Sequence, residues 1–238
     1  MATSLPWLPA AKPAALAEKD LHVWRASLHL APEKLGRLEA TLNAEEKARA
    51  EKFLVPRARE SFVATRGILR ELLGAYLGIG ADQVNFRYGA QGKPFLAPMH
   101  DSPLSFNASH SHGMGLFAFA GRGELGVDIE QVRADFQGME IASRFFSEQE
   151  ITELKKLPPS EATEAFFGCW TRKEAYVKAH GEGLSIPLRS FTVSFDAPQQ
   201  VLQADGAAWS CHALQPAPGF AGAVVARGEN WRVRCWEK

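Results

Sequence analysis

Polar and apolar positions alternate over residues 21–30 (LHVWRASLHL) as in a half-buried strand, which Pro32 is expected to close. Asn43 followed by Glu46 is a capping-box signature, so a helix is predicted from there to residue 53. Pro56 interrupts the pattern, and a long helix is predicted over 58–77, ended by Gly78. Short strands follow at 84–88, 95–96, 104–108 and 115–120, with a turn at 89–92. After the breaker Gly121-Arg122-Gly123 the pattern restarts. It gives a strand at 125–129, a helix near 140–145, and a helix N-capped by Ser147 with Glu150 three residues on. A third helix over 161–180 is closed by Gly181 and Gly183, and strands are expected at 190–195, 208–214, 222–226 and 231–236. FAFAG at 117–121 has a faint echo in FAGAVVA at 220–226. The expected fold is α+β, a pseudo-two-fold duplication of two similar halves, 1–121 and 122–238.

Composition narrows the class. The 238 residues are 46% apolar and 23% charged, with 27 basic against 27 acidic side chains, which excludes disorder and argues against a nucleic-acid-wrapping protein. No apolar run reaches the ~18 residues of a membrane helix, and the proline-broken first 20 residues do not read as a signal peptide. The expected address is the cytoplasm, without a membrane or nucleic-acid partner. Cys169, Cys211 and Cys235 lack metal-knuckle spacing and read as reduced core thiols. The zero net charge hides an asymmetry: residues 1–120 sum to +3 and 121–238 to −3. Residues 47–70 alone hold seven basic and two acidic side chains, which as a bare run is a solvated face.

Three places set chemistry against local pattern. On the helix over 58–77, Phe62, Leu69, Leu73 and Tyr76 form an apolar stripe at ~100° per residue, with Arg66 inside it and Arg59 and Arg70 along its edge. Either these arginines snorkel past the core, or together with Lys47 and Arg49 they form an anion site. In Gly126-Val127-Asp128-Ile129-Glu130 the period of two puts both carboxylates on one face, ~7 Å apart. That is either an exposed polar edge or a place for a hard cation, of which Mg²⁺ is the natural candidate. On the helix over 161–180, Glu174 and Lys178 are four apart: a surface ion pair worth ~0.3 kcal/mol, or a metal ligand or base with a phosphate-facing cation. Gly89-Ala90-Gln91-Gly92-Lys93-Pro94 lacks the spacing of a phosphate loop. Ser109-His110-Ser111-His112 lacks a nucleophile elbow and reads as a turn with hydroxyl and imidazole donors.

In order, QGKPFL (91–96), FNASHS (106–111), GVDIE (126–130), RFFSEQE (144–150) and WTRKEAYVKAHGEGLSIPL (170–188) closely resemble the 4′-phosphopantetheinyl transferases of the surfactin-synthetase-activating (Sfp-like) type. The upstream EEKARAEKF and RGILREL segments extend the resemblance over most of the chain. It implies coenzyme A as substrate, Mg²⁺ as cofactor, and transfer of the phosphopantetheine arm to a serine of an apo acyl or peptidyl carrier protein, releasing adenosine 3′,5′-bisphosphate. It also implies a monomer with coenzyme A and the metal in the cleft between the halves. By position it makes Asp128, Glu130 and Glu174 the metal ligands, Glu174 the general base and Lys178 the pyrophosphate contact. Arg49 falls at the 3′-phosphate, Gly92, Lys93 and Pro94 on the adenine side, and Ser109 and His110 at phosphates. Arg66 joins this set from the stripe argument. Glu46 departs from relatives that carry lysine there. Length and layout favour the broad-range type over the short trimeric one. A non-catalytic coenzyme A binding module and a Mg²⁺-dependent pyrophosphate hydrolase are the alternatives. The carrier, from fatty-acid, polyketide or nonribosomal-peptide synthesis, is expected at residues 131–146, through Phe136, Met139 and Ile141.

Overall fold

Pro32 opens a helix instead of closing a strand, because a proline at the first helical position gives up an N–H that would be unpaired there anyway. In the computed structural model, which describes residues 5–9, 13, 15–133, 135–181, 186–195 and 199–238, the first elements are β1 (Trp7–Pro9), β2 (Asp20–Ser27) and α1 (Pro32–Ala40). Then come α2 (Ala44–Glu51), α3 (Pro56–Leu77), the hairpin β3 (Phe86–Tyr88) and β4 (Pro94–Leu96), β5 (Ser105–Ser111) and β6 (Met114–Ala120). The second series is β7 (Leu125–Gln131), α4 (Gly138–Phe145), α5 (Glu148–Lys156), α6 (Pro159–His180), β8 (Gln199–Ala204), β9 (Ala207–Leu214), β10 (Phe220–Arg227) and β11 (Arg232–Glu237).

The strands form two main sheets, ordered β1-β11-β2-β6-β5 and β7-β10-β9-β8. Leu21, Val23, Leu116 and Ala118 of the first sheet pack against Val127, Ile129, Val224 and Ala226 of the second in a shared core. Helix α3 covers the outer face of the first sheet through Ile68, Leu72, Trp24 and Phe119. Helix α6 covers the second through Phe166, Tyr176, Trp209 and Val225. The fold is therefore α+β with two related layers.

The duplication is visible residue by residue. The pair β2–β6 corresponds to β7–β10, both antiparallel, which places the echo between FAFAG and FAGAVVA on equivalent strands. Helices α3 and α6 each run 22 residues, open on a proline, and close on a left-handed glycine, Gly78 and Gly181. Each is preceded by a capping-box helix, Asn43 with Glu46 on α2 and Ser147 with Glu150 on α5. In each the box glutamate is buried and takes a cation from the fifteenth residue of the long helix. Arg70 Nε lies 2.8 Å from Glu46, and Lys173 Nζ 2.8 Å from Glu150. The remaining protons go to carbonyls just beyond that helix: Ala81 and Val84 for Arg70, Leu188 and Phe191 for Lys173.

The same pattern explains the expected strand at 190–195 that does not form. Residues 188–190 make a 3₁₀ turn, and the backbone after it is bonded by side chains: the Phe191 carbonyl to Lys173, the Val193 N–H to Glu150, and the Ser194 N–H to Gln200. Two strands lie outside the expected set: β1 at the start of the chain, and β8, which pairs with β9 across the turn at Asp205-Gly206. Gly183 of the expected helix end lies outside the described residues. At the C-terminus β11 returns to lie parallel between β1 and β2, so the end of the chain belongs to the first sheet. Cys169, Cys211 and Cys235 are free and buried. Among the described residues no helix is long and apolar enough to cross a membrane.

Candidate active site at the seam between the two sheets

Strand β5, the edge of the first sheet, runs beside β7, the edge of the second, and side chains from alternate residues of β5 join them. Asn107 Oδ1 accepts from Val127 N–H at 2.9 Å, Ser109 Oγ donates to Asp128 Oδ1 at 2.8 Å, and Ser111 Oγ donates to Glu130 Oε2 at 2.9 Å. The period of two that aligns the carboxylates on β7 thus aligns their partners on β5. Ser109–Ser111 are strand, and the turn expected there is only His112-Gly113, both with positive φ, closing the β5–β6 hairpin.

Helix α6 lies directly on β7 because Gly126 has no side chain: a Cβ there would stand 2.1 Å from the Ala175 carbonyl. This contact brings Glu174 and Lys178 to the carboxylates. Lys178 Nζ lies 2.6 Å from Asp128 Oδ1 and 2.8 Å from Ser109 Oγ, so the lysine pairs with the strand and not with Glu174. Asp128 Oδ2 is buried without a hydrogen-bond partner. Burial, and next the Asp128 charge, raise Glu130 above the usual carboxylate range. The same two causes, in the same order, raise Glu174. Two carboxylates raised by their setting beside Asp128, with an unpaired buried oxygen on Asp128 itself, fit a hard divalent cation, though no ready-formed set of three metal-ligating side chains exists among the described residues. His110, reaching solvent at the rim, is drawn below the ordinary imidazole range by the surrounding protein and then by Lys178.

A cavity of about 300 Å³ opens beside these groups, between the Gly92-Lys93-Pro94 loop, Asn107 and Ala108 of β5, and Glu174 and Lys178 of α6. Lys93 contributes its stem rather than its charge. Its ammonium is turned onto the carbonyls of Lys178 (2.6 Å), Ala179 (2.8 Å) and Leu125 (3.1 Å), capping α6 and tying it to β7. Burial draws Lys93 down to about 8, with Glu124 opposing.

The arginines of the α3 stripe separate. Arg70 is wholly buried in the Glu46 pair, and Arg59 is paired with Glu39, so both are structural and the expected three-arginine anion edge does not form. Arg66 stacks on Phe86 and lies 3.5 Å from Glu46, with a buried Nη1 that has no partner. Arg49 is exposed over Phe62. Neither Arg49 nor Arg66 lines the cavity. Of the apolar residues expected on 131–146, Phe136 packs on Phe166 and Phe167 and Ile141 is half-buried, leaving Met139 the open one. Sequence reasoning missed Asn107, Ser111, Gly126 and Lys173. The alternation of small polar residues over 107–111 and a glycine inside a strand were the available signals.

Comparison with known proteins defines the class. The 4′-phosphopantetheinyl transferase superfamily matches over residues 124–225, and the N-terminal domain of 4′-phosphopantetheinyl transferases over 26–120, the two segments meeting at the Gly121–Gly123 turn. The chain belongs to the 4′-phosphopantetheinyl transferases. It is 36% identical over 231 residues to the 4′-phosphopantetheinyl transferase HetI of a Nostoc species, covering 97% of both chains. It is 34% identical over 176 residues to the transferase Sfp of Bacillus subtilis, covering 69% of this chain and 76% of that one. A putative 4′-phosphopantetheinyl transferase of a Synechocystis species is 37% identical over 147 residues, 62% of this chain and 60% of its own.

Proposed function

We propose that the β5–β7–α6 seam transfers the 4′-phosphopantetheine arm of coenzyme A to a serine of an apo acyl or peptidyl carrier protein. The observation that carries this reading is the convergence of Asp128, Glu130, Glu174 and Lys178 beside a cavity walled by both halves of the chain. In the reaction the serine oxygen forms a bond to the pantetheine-side phosphorus. The bond from that phosphorus to the bridging oxygen breaks, and adenosine 3′,5′-bisphosphate leaves. Glu174, held above the usual carboxylate range, accepts the serine proton, since a base nearer neutrality transfers protons more effectively. Lys178 meets the pyrophosphate charge, and Ser109 and His110 add contacts at its edge. Gly92, the Lys93 stem and Pro94 flank the adenine, while Arg49 and Arg66 reach the outer phosphate.

Asp128, Glu130 and Glu174 would hold Mg²⁺, which when bound supplies charge neutralisation at the pyrophosphate. The chain works as a monomer with residues 1–121 on the nucleotide side and 122–238 on the catalytic side, and both contribute to one cleft. Three free, buried thiols suit a reducing cytoplasm.

Intact-mass measurement of apo acyl and apo peptidyl carriers, incubated with the protein, coenzyme A and Mg²⁺, tests this. A gain of ~340 Da on the carrier serine, abolished by a chelator, is expected for a covalently transferred phosphopantetheine arm. Coenzyme A binding without any mass gain would favour a binding module, and free phosphopantetheine without carrier a hydrolase.

A further inference from the structure

Two members of the Ser109-His110-Ser111-His112 motif, Ser111 and His112, have no part in the proposed transfer, yet both stand behind Glu130. Ser111 Oγ donates to Glu130 Oε2 at 2.9 Å, and His112 Nδ1 lies 3.0 Å from the same hydroxyl. The Gln131 N–H also reaches that oxygen, at 3.3 Å. A hydroxyl has one proton and an ionised carboxylate can only accept, so Ser111 gives its proton to Glu130. The His112 and Gln131 contacts are then donations into Ser111 Oγ, which makes His112 the Nδ1–H tautomer. Two residues back on β5 the arrangement repeats: Ser109 Oγ has Lys178 Nζ at 2.8 Å behind it and Asp128 Oδ1 at 2.8 Å in front. Each carboxylate of β7 thus has a β5 serine, and each serine a nitrogen donor behind it.

The backbone around His112 is built for this contact. His112 and Gly113 form the two-residue turn between β5 and β6, with φ of 45° and 79°. Glycine or asparagine adopts such a conformation more easily than histidine, so the imidazole is held there against the backbone preference. Leu28 N–H donates to the Gly113 carbonyl at 2.8 Å, and the His29 ring covers the turn so closely that a Cβ on Gly113 would stand 2.0 Å from His29 Nε2. Arg57 Nη2, 3.1 Å from that nitrogen, holds the ring in turn. Ser111 is only 8% exposed, which shields the chain of bonds from competing water. Ser111 engages Glu130 at Oε2 and leaves Oε1 for a cation. We propose that His112 is a positioning residue: acting through Ser111, it fixes the Glu130 carboxylate in the orientation in which Oε1 meets the divalent cation. This role rests on the part of the transferase reading that makes Glu130 a metal ligand, and adds to it a residue outside the ligand set.

The test is Mn²⁺ affinity, read from the free-ion electron paramagnetic resonance signal in protein saturated with coenzyme A and without carrier, so that no turnover is involved. His112→Gly suits the turn backbone and deletes the donor, whereas His112→Asn suits the turn and offers an amide N–H in place of Nδ1–H. His112→Gly should weaken Mn²⁺ binding about tenfold, as for loss of a group that orients a metal ligand, with the metal-free melting temperature unchanged. His112→Asn should bind within about threefold of wild type. Ser111→Ala should weaken binding at least as much as His112→Gly, and combining the two should add nothing, because the imidazole acts only through the hydroxyl. Wild-type Mn²⁺ affinity in His112→Gly overturns the role, as does a His112→Asn protein as weak as His112→Gly, or a full second loss in the double variant. If wild-type protein takes up no Mn²⁺ under these conditions, Glu130 is no metal ligand and the role of His112 falls with it. Absence of transfer by wild-type protein, with the Mn²⁺ differences intact, would sink the transferase reading and leave the positioning role standing.

Discussion

Strands β2 and β7 begin alike, Leu21-His22-Val23-Trp24 against Leu125-Gly126-Val127-Asp128, and part at every second residue. The shared Leu and Val positions enter the core between the sheets, while the differing ones face the long helices. In the first half that face is filled with rings. Trp24 Nε1 donates to Tyr76 Oη at 3.0 Å, His22 Nδ1 lies 2.8 Å from the same oxygen, and Trp24 stacks on Trp236. These rings space α3 away from β2. In the second half Gly126 lets α6 settle directly on β7, and the positions of Trp24 and Ala26 become Asp128 and Glu130. The helices differ in the same sense: after the buried cation come Glu71, tied to Lys238, and Ala75 on α3, but Glu174 and Lys178 on α6. A duplicated scaffold was thus kept where it carries the fold and changed where helix meets strand. The buried cation–glutamate pair belongs to the part kept, and the carboxylate cluster to the part changed.

Breaking the kept part should have the largest effect. Lys173→Ala leaves Glu150, with neither side chain exposed, as an uncompensated charge and removes the acceptors' partner at Leu188 and Phe191. The expected cost is about 3–5 kcal/mol of unfolding free energy by urea titration. Arg70→Ala should cost a similar amount by orphaning Glu46, with Arg66 at 3.5 Å offsetting part of it. If one half tolerated the loss and the other did not, the equivalence of the two pairs would fail.

Changing the diverged part should spare stability and remove chemistry. Glu174→Gln deletes the proposed base without touching the Asp128–Lys178 pair. Transfer should fall on the order of 100-fold or more, while coenzyme A affinity holds within about threefold. Glu71→Gln at the equivalent place in α3 should leave the rate unchanged and loosen only the contact with Lys238. Rapid-quench transfer assays with calorimetric coenzyme A titration separate the two. A near-normal rate in Glu174→Gln would remove it from the proton-accepting role.

Much of this contrast was open to a reader of the sequence. The capping boxes at Asn43 and Ser147 mark their helices correctly, because the signal is local: a side chain bonding a backbone three residues away. Asp128 and Glu130 share a face for the equally local reason of strand periodicity. What was not legible is partner choice across the chain. A cation inside an apolar stripe must have a partner, but the stripe cannot say whether this is a ligand or a buried glutamate. Arg70 takes Glu46, and Arg66 keeps an unpaired nitrogen. Lys178, four residues from Glu174, goes to Asp128, because a close contact at Gly126 decides what the helix face meets. Residues 190–195 alternate like a strand, yet their backbone is bonded by side chains from α5, α6 and Gln200.

The smallest effect concerns Lys93, which ties the changed half together from the other half of the chain. Its ammonium sits on the carbonyls of Leu125, Lys178 and Ala179, where burial lowers it from an ordinary lysine value to about 8. A lysine depressed in the folded state binds fewer protons there than when unfolded, so between pH 8 and the unfolded value stability rises with pH. Its three carbonyl acceptors and partial exposure keep the gain well under the full linkage value, at about 1 kcal/mol between pH 8 and 10. Lys93→Met should flatten that slope in urea titrations run across the same range. It should also weaken the cap on α6 and shift the backbone of Lys178, whose ammonium sits on Asp128 and Ser109 and is proposed to meet the phosphates. Transfer in Lys93→Met should therefore fall modestly, about three- to tenfold, as for loss of a positioning contact. An unaltered pH slope would mean that the amine keeps its proton throughout this range. Helix α6 would then be held to β7 by a permanent charge, and the link between the halves would not respond to pH.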